Sequence, residues 1–307
     1  MTGALQGFYQ NFRSFAVPVP PVTGSKAIFG YGITSGGTTA ITNLVANTGV
    51  VSADTAGVGT VRAYLAAAGY GTDKAIFGYG DSTAGPFLSM TNLVSNTGVV
   101  SADTTGVGSV KAYLAAAGYG TDKAIFGYGY TTGYSVSSIS NLVSNTGVVS
   151  TDTTGVGTSR AQLAAAGYGT DKAIFGYGVS GSSVSMTNLV SNTGVISTDT
   201  TGVGTARNYL AAASYGVDKA IFGYGSGPSS ITNLVSNIGV VAADTTGVGT
   251  ARARIAAAGY GTDKAIFGYG TGPSSITNLV SNAGVVAADT TGVGTARYGL
   301  AAASYGS

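Results

Sequence analysis

The sequence predicts an all-β fold in which six four-stranded sheets close into a ring, and three observations carry this prediction. The motif Lys-Ala-Ile-Phe-Gly-Tyr-Gly occurs six times, beginning at Lys26, Lys74, Lys123, Lys172, Lys219 and Lys264. The copies repeat every 45 to 49 residues, a period typical of propellers and helical arrays. Gly or β-branched residues interrupt every candidate helix and Glu is absent, so strands fit better. We therefore expect a six-bladed β-propeller.

The copy that begins at Lys74 shows how four strands are expected to follow one another. We place strands over residues 74–80, about 90–96 and about 99–104, and a further strand over 111–119. Asn, Gly and Asp between them supply the bent or left-handed backbone that hairpins need. The Ala-Ala-Ala run in the last strand could also start a helix, but Gly follows too soon for about 12 helical residues. We expect an inner strand there, because only small side chains fit where blades crowd around an axis.

The two ends of the repeat array predict how the ring closes. The motif at Lys26 has no Ala-rich strand before it, and the chain finishes with such a strand, residues 297–306, without a motif after it. Pairing the two would complete the sixth blade and remove exposed sheet edges. The predicted regions are therefore an aromatic, Pro-rich N-terminal tail over 1–25 and the propeller over 26–307.

Composition excludes several classes of function. Only 8% of the 307 residues are charged, there is no His or Cys, and all 12 acidic residues are Asp. The chain therefore has no Ser-His-Asp triad, thiol nucleophile or Cys/His zinc site, and we expect no enzyme activity, no cofactor and no metal. A net charge of +2 is too small to indicate nucleic acid as a partner. No apolar run reaches about 18 residues, so membrane insertion is not expected.

The charges themselves follow the repeat. Eleven of the 12 Asp residues occupy two repeat positions, and each copy has one Lys that opens the motif and one basic residue that opens the Ala-rich strand. Such charges could form a ring that binds an anion or a metal. The interpretation we favour is structural: turn capping, and Asp–Arg pairs that link blades. Only Arg13, Asp81 and Arg254 fall outside the repeating sets.

Differences between the copies are confined to two places. The stretch between Gly-Tyr-Gly and the next Thr/Ser-Asn holds 9, 10, 10, 8, 6 and 6 residues, while the rest of each measurable period is always 39. In a propeller these loops emerge on one face, and insertions on one face commonly mark a binding surface. The start of the Ala-rich strand also varies and would open onto the same face; it holds Tyr64, Tyr113, Gln162, Asn208, Tyr209, Arg254 and Tyr298.

We therefore expect a partner-binding face at these variable positions, since exposed aromatic residues are favoured binding anchors. Its candidate residues are Asp81, Phe87, Leu88, Tyr130, Tyr134, Gln162, Asn208 and Arg254. The alternative is neutral drift, with the loop aromatics folded back on the rim. A second candidate surface is the N-terminal tail, which would dock on a neighbouring subunit or pack on its own propeller; its aromatic residues are Phe8, Tyr9, Phe12 and Phe15.

Two resemblances add to this prediction. A basic residue, small and apolar residues, a short turn and Ile-Phe-Gly-Tyr-Gly resemble the kelch-type propeller repeat over about 280 residues, with Gly-Tyr-Gly in place of the family's Gly-Gly and no Trp. The near-identical, glycine-rich copies also resemble propeller repeats of marine tailed-phage proteins. That resemblance implies a structural or adhesive virion component whose partners are other virion subunits. The rival function is a lectin-like, carbohydrate-binding module that recognises a surface glycan through its loop aromatics.

Overall fold

The computed structural model describes residues 25–82 and 86–306, and in this part of the chain the fold is all-β. The secondary structure consists of short strands and one 3-10 helix at Thr132–Tyr134. In chain order the strands are β1 (Lys26–Gly30), β2 (Ile33–Thr34), β3 (Gly37–Thr38), β4 (Thr42–Val45), β5 (Ala66–Tyr70), β6 (Lys74–Asp81), β7 (Phe87–Val94), β8 (Ala115–Tyr119), β9 (Lys123–Gly127), β10 (Tyr130–Thr131), β11 (Ser135–Val136), β12 (Ser140–Val143), β13 (Ala164–Tyr168), β14 (Lys172–Gly176), β15 (Val179–Ser180), β16 (Ser182–Ser183), β17 (Thr187–Val190), β18 (Ala211–Tyr215), β19 (Lys219–Gly225), β20 (Ser229–Val235), β21 (Ala256–Tyr260), β22 (Lys264–Gly270), β23 (Ser274–Val280) and β24 (Ala301–Tyr305).

Eighteen of these strands form six three-stranded antiparallel sheets, one for each copy of the motif, and the other six form the two-stranded pairs β2-β3, β10-β11 and β15-β16. The sheet orders are β24-β1-β4, β5-β6-β7, β8-β9-β12, β13-β14-β17, β18-β19-β20 and β21-β22-β23. In each sheet the motif forms the middle strand, the Ala-rich segment one edge and the Asn-Leu-Val segment the other. The Ala-rich edges, which we call inner strands, contact one another in the closed succession β5, β8, β13, β18, β21, β24 and again β5. The Ala-rich run is thus a strand, as predicted, and not a helix.

Three strand predictions need correction. The strand expected over about 99–104 is reduced to two isolated bridges, in which Val94 pairs with Val100 and Thr91 with Thr104. The reason is the side chain of Asn92, whose Nδ2 donates to the carbonyl of Ser101 (3.0 Å) where the ladder would continue. The preceding strand lies at Phe87–Val94 and not at about 90–96. The inner strand begins at Ala115 and not at 111, because the left-handed backbone of Tyr113 (φ 57°) cannot continue a strand.

The first and last strands pair as the ends of the array predict. β24 is antiparallel to β1 from Lys26 opposite Tyr305 to Gly30 opposite Ala301. At the turn that follows each inner strand, a glycine amide donates to a carbonyl of the next sheet's turn. These links form an unbroken cycle: Gly71 to Asp122, Gly120 to Asp171, Gly169 to Asp218, Gly216 to Asp263, Gly261 to Ser25 and Gly306 to Asp73, each 2.7–2.8 Å. The cycle passes through the chain ends without interruption.

The core lies between neighbouring sheets. The Tyr of each Gly-Tyr-Gly and the Phe of the next middle strand are fully buried, and their rings meet near edge-on at 5.1 Å. The same contact joins the last sheet to the first, between Tyr269 and Phe29. Aromatic pairs of this geometry add about 0.5–1.5 kcal/mol each beyond the area they bury.

Candidate functional site

The repeating basic residues are built into the framework. Arg62 is fully buried; its Nη2 donates to Asn92 Oδ1 (2.6 Å) and its Nε to the carbonyl of Tyr79 (2.8 Å). Its guanidinium lies 4.4 Å from the centre of the Tyr31 ring in the preceding sheet, and Nη1 is 3.8 Å from Asp103 Oδ1. The other arginines at this repeat position pair with an Asn and an Asp in the same way: Arg160, Arg207, Arg252 and Arg297.

The repeating Asp residues also have structural partners. Asp103 accepts hydrogen bonds from the backbone N (2.9 Å) and Oγ1 (2.7 Å) of Thr60 in the connection from the preceding sheet. Partial burial raises its pKa, but the hydrogen bonds from Thr60 and Asn92 outweigh this and lower the pKa overall. The second set caps turns, as in Asp73, whose Oδ1 is 2.6 Å from Lys74 Nζ. Within residues 25–82 and 86–306 no three Asp side chains are grouped in a way that could hold a metal ion.

A different set of positions gathers at one end of the inner strands, two residues before each strand begins. Here the six chain segments form a second closed cycle of backbone hydrogen bonds, each amide donating to the carbonyl of the preceding segment at 2.7–2.9 Å. All six residues have left-handed backbone, and five of them carry side chains that gather at a common rim. They are Tyr64, Tyr113, Gln162, Tyr209, Arg254 and Gly299.

Aromatic side chains connect this rim with the variable loops. Tyr64 and Tyr113 are stacked, with ring centres 4.0 Å apart and planes 18° apart. From Tyr113 a chain of edge-on contacts leads to Tyr130 (5.6 Å), then to Tyr134 (5.7 Å), and ends at Phe87 (5.1 Å). The variable loops of the second and third copies and the starts of the inner strands therefore form one surface, which we call the variable rim.

Two amide side chains extend the variable rim. Gln162 Nε2 lies 3.5 Å from the hydroxyl oxygen of Tyr130, and Asn208 Nδ2 donates to Gln162 Oε1 at 2.8 Å. The Oδ1 atom of Asn208 is buried without a hydrogen-bond donor, the one side-chain oxygen in this state in the described part of the chain. The variable rim thus alternates aromatic surface with uncharged polar groups.

Arg254 brings a positive charge into this surface. Its guanidinium carbon lies 4.7 Å from the ring centre of Tyr209, 5.5 Å from that of Tyr298 and 5.9 Å from that of Tyr64. The carboxylates of residues 25–82 and 86–306 form ten ion pairs with other cations and none with Arg254. Arg254 is therefore a half-buried cation held by aromatic rings and not by an acid.

A cleft of about 70 Å³ opens at the centre of the variable rim. Its lining consists of the six rim residues and the apolar residue that follows each of them: Tyr64, Leu65, Tyr113, Leu114, Gln162, Leu163, Tyr209, Leu210, Arg254, Ile255, Gly299 and Leu300. A larger cavity of about 270 Å³ lies at the other end of the inner strands. Its rim carries Lys74, Lys123 and Lys172, each paired with the Asp that precedes it, so its charges are already balanced.

The remaining candidates occupy different environments. Tyr134 is 62% exposed, whereas Phe87, expected as an exposed anchor, is only 6% exposed because Tyr134 covers it. Leu88 is half-buried and its backbone pairs with Lys111. Asp81 is half-buried beside Ala63, with which its backbone pairs, and burial raises the pKa of its carboxyl.

Four aromatic residues of the variable rim were not among the eight candidates, although the sequence marks their positions as variable. They are Tyr64, Tyr113, Tyr209 and Tyr298. These positions were expected to belong to or adjoin a regular strand, which gives no reason for their side chains to gather at the rim. The left-handed backbone at Tyr64, Tyr113 and Tyr209 cannot be predicted from residue type. The tail candidates Phe8, Tyr9, Phe12 and Phe15 lie outside the described residues.

Comparison with known proteins gives no family for this chain. No protein-family model matches it, and no curated protein matches it. Among the residues described above, no helix has the length and apolar character that a membrane crossing requires.

Proposed function

We propose that the chain is a six-bladed β-propeller that acts as a non-catalytic, adhesive or structural module and binds its partner through the variable rim. The six sheets in succession, the pairing of β24 with β1 and the two closed cycles of backbone hydrogen bonds support the propeller. The outer edge of each blade is a bridged segment in place of a regular fourth strand.

The observation that carries the binding function is the convergence of the variable positions. The copies share one framework, yet the residues that differ between them, from Phe87 and Tyr134 to Tyr113 and Arg254, lie in one continuous set of contacts. A repeat protein that preserves its framework and varies one rim is organised for recognition. The non-catalytic assignment rests on the absence of His, Cys and Glu and on the structural roles of the repeated Asp residues.

For the biological setting we propose the virion of a tailed bacteriophage, in its tail, neck or fibres. The support is the resemblance of the near-identical, glycine-rich copies to propeller repeats of marine tailed-phage proteins. In this setting the variable rim contacts a neighbouring virion protein or the host surface, and the aromatic N-terminal segment docks on another subunit.

A pull-down with two baits tests the role of the variable rim. One bait is the native chain; in the other, residues 81–90 and 130–139 are each replaced by Ser-Gly-Pro-Ser-Ser-Ile, the loop of the fifth copy. Equal melting temperatures of the two baits serve as the folding control. We expect the native bait to retain a partner from the source lysate that the loop-swapped bait loses.

Capture of the same virion proteins by both baits would keep the virion assignment and move the contact away from the variable rim. If neither bait retains a partner, the binding function is wrong.

A glycan is the second candidate partner, and the composition of the variable rim favours it. Tyrosine faces beside amide groups, as in Tyr130, Gln162 and Asn208, suit the apolar faces and hydroxyls of sugars. A glycan array probed with both chains tests this. Binding that disappears with the loop swap supports it, and silence of the native chain across a broad panel contradicts it.

A further inference from the structure

We infer that the cleft beside Arg254 receives the carboxylate of an acidic saccharide. This inference rests on the proposed role of the variable rim as the binding surface and names the ligand chemistry. It depends on the charge of Arg254, the size of the cleft and the groups that surround it, none of which the fold itself requires.

Arg254 lacks the partners that the five buried repeat arginines have. The five buried repeat arginines each have an Asn oxygen within 2.6 Å and an Asp carboxylate within 4 Å. Arg254 has three tyrosine rings around it and no described acid in salt-bridge distance. A guanidinium offers a planar fork of donors that matches a carboxylate, and partial removal from water strengthens that pair. Arg254 is therefore free to pair with an anionic group that enters the cleft.

The size of the cleft limits what can enter it. The cleft is small, at about 70 Å³, and suits a compact group such as a carboxylate. We place the sugar ring outside it. The ring would lie on the aromatic surface outside the cleft, against Tyr209 and the Tyr64–Tyr113 stack, with its acid group directed inward.

The polar groups of the variable rim favour a saccharide over a simple anion. Gln162 lines the cleft and is held by a hydrogen bond from Asn208, so an amide group that suits a sugar hydroxyl lies beside the guanidinium. Burial first, and in smaller part the charge of nearby Asp81, raises the pKa of Tyr113, so Asp81 places a negative charge near the Tyr113 side of the cleft. An acid group is therefore repelled from one side and attracted to the other, which gives the ligand a single orientation.

Titration calorimetry of the full chain with tetragalacturonate and with its carboxyl-reduced, neutral counterpart tests this inference. We expect the acidic form to bind at least about tenfold more tightly, as one charge-assisted contact allows. Arg254→Gln should abolish this preference, Arg254→Lys should keep part of it, and Asp81→Asn should tighten binding of the acid. Lys74→Gln, at the opposite end of the inner strands and 44% exposed, is the matched control and should change nothing.

Three outcomes would overturn the inference. They are equal affinity for the acidic and neutral forms, equal binding of a polyglutamate peptide, and no binding of tetragalacturonate by the folded chain. If the folded chain does not bind tetragalacturonate, but the native bait retains a partner that the loop-swapped bait does not, only the acidic saccharide is rejected and the binding role of the variable rim stands. A loop swap without effect on any partner rejects the proposed function independently of the calorimetry.

Discussion

At the residue scale, the glycine of Ile-Phe-Gly shows why the motif tolerates no larger side chain. A Cβ on Gly78 would stand 2.8 Å from Cζ of Phe126 in the next sheet and 3.2 Å from Cγ2 of Thr91. The same phenylalanine contact recurs in all six copies, with Gly268 against Phe29 closing the series. The glycine is a packing requirement between sheets and not a turn residue.

We predict that Gly78→Ala destabilises the protein by about 1–3 kcal/mol, because the Phe126 ring must leave a close-packed interface. Chemical denaturation measures the change. Gly36→Ala is the control, since its added Cβ would meet only Thr34 Oγ1 at 3.6 Å and the site is exposed. Equal unfolding midpoints for the two variants would contradict the packing argument.

At one of the six equivalent buried positions that open the Ala-rich segments, lysine replaces arginine. Lys111 occupies the place of the buried arginines, donates from Nζ to Asn141 Oδ1 and lies 4.9 Å from the ring centre of Tyr79. Burial lowers the pKa of its ammonium to about 8, although the charge of Asp152 opposes this shift. Lysine cannot make the forked contacts by which arginine reaches Asn, Asp and backbone at once.

We therefore predict that Lys111→Arg stabilises the protein at pH 7, by at most about 3 kcal/mol, the free-energy equivalent of the pKa shift. Below pH 8 the folded and unfolded forms both carry the proton, so the full cost of the buried ammonium is present. Between pH 8 and about 10.5 the unfolded chain binds more protons, and the native chain gains stability with rising pH.

The advantage of Lys111→Arg should accordingly shrink from pH 7 to pH 10 in urea unfolding experiments. Arg160→Lys, the reverse change in the next copy, should introduce a second pH dependence of the same sign. An advantage of Lys111→Arg that stays constant with pH would show that Lys111 keeps an ordinary pKa.

At the element scale, side chains replace part of the backbone pairing. The segment after each outer strand is held by the Asn amide and by an Asp that reaches across to the preceding connection, as Asp289 does to Thr250 (Oγ1 to Oδ2, 2.6 Å). The last link of this kind joins Asp54 to Thr295 across the chain ends. The outermost segments therefore connect neighbouring sheets more than they extend their own.

We predict that Thr250→Val costs about 1 kcal/mol at pH 7, the usual worth of one such hydrogen bond. Burial raises the pKa of Asp289, but hydrogen bonds from Thr250 and Asn278 lower it overall, so this stabilisation is present above about pH 4 and is lost as the pH falls further. The difference between variant and native chain should shrink there. Thr48→Val, at an exposed turn, is the control; a cost that persists at pH 2 would contradict the role of the carboxylate.

Much of this element pattern could be predicted from the sequence. Periodicity gave the six sheets, the position of the middle strands and the pairing of the two ends, because these depend on repeated apolar residues and on complementary chain termini. The reduction of the fourth strand to isolated bridges depends on where the Asn92 amide points. The early start of β7 at Phe87 depends on the backbone pairing of Phe87 with Asp81 across the loop. Rotamers and left-handed backbone, as at Tyr113, are set by tertiary contacts and leave no pattern along the chain.

At the scale of the whole molecule, each of the two cycles of backbone hydrogen bonds has one bond between every pair of neighbouring sheets, including the first and the last. The junction between Gly306 and Lys26 lacks a covalent turn, and Ser25 stands where the other five copies have an Asp paired with the motif Lys. An inner strand joined to its middle strand by Gly-Thr-Asp, as at Gly120, Thr121 and Asp122, is the continuous equivalent.

We predict that a circular permutant, with Gly306 joined to Lys26 through Thr-Asp and new ends between Thr121 and Asp122, folds with stability within about 1 kcal/mol of a chain of residues 26–306. The reason is that the new turn has the Gly-Thr-Asp sequence of four existing turns and the new ends lie in a turn at which Thr121 is exposed. Denaturation and sedimentation measure stability and association. A permutant that unfolds without cooperativity or associates would show that the junction at the native ends is special.

The pairing of the first and last strands of the repeat array also bears on how such a protein changes over evolutionary time. A gene with six nearly identical segments is prone to unequal recombination, which adds or deletes whole segments. Every such repeat array still begins with a middle strand that has no inner strand before it and finishes with an inner strand that has no middle strand after it. The two ends of the array therefore remain complementary at any copy number. We expect the number of sheets to be restrained not by the ends of the array but by the angle between neighbouring sheets, which the buried Phe–Tyr contacts set.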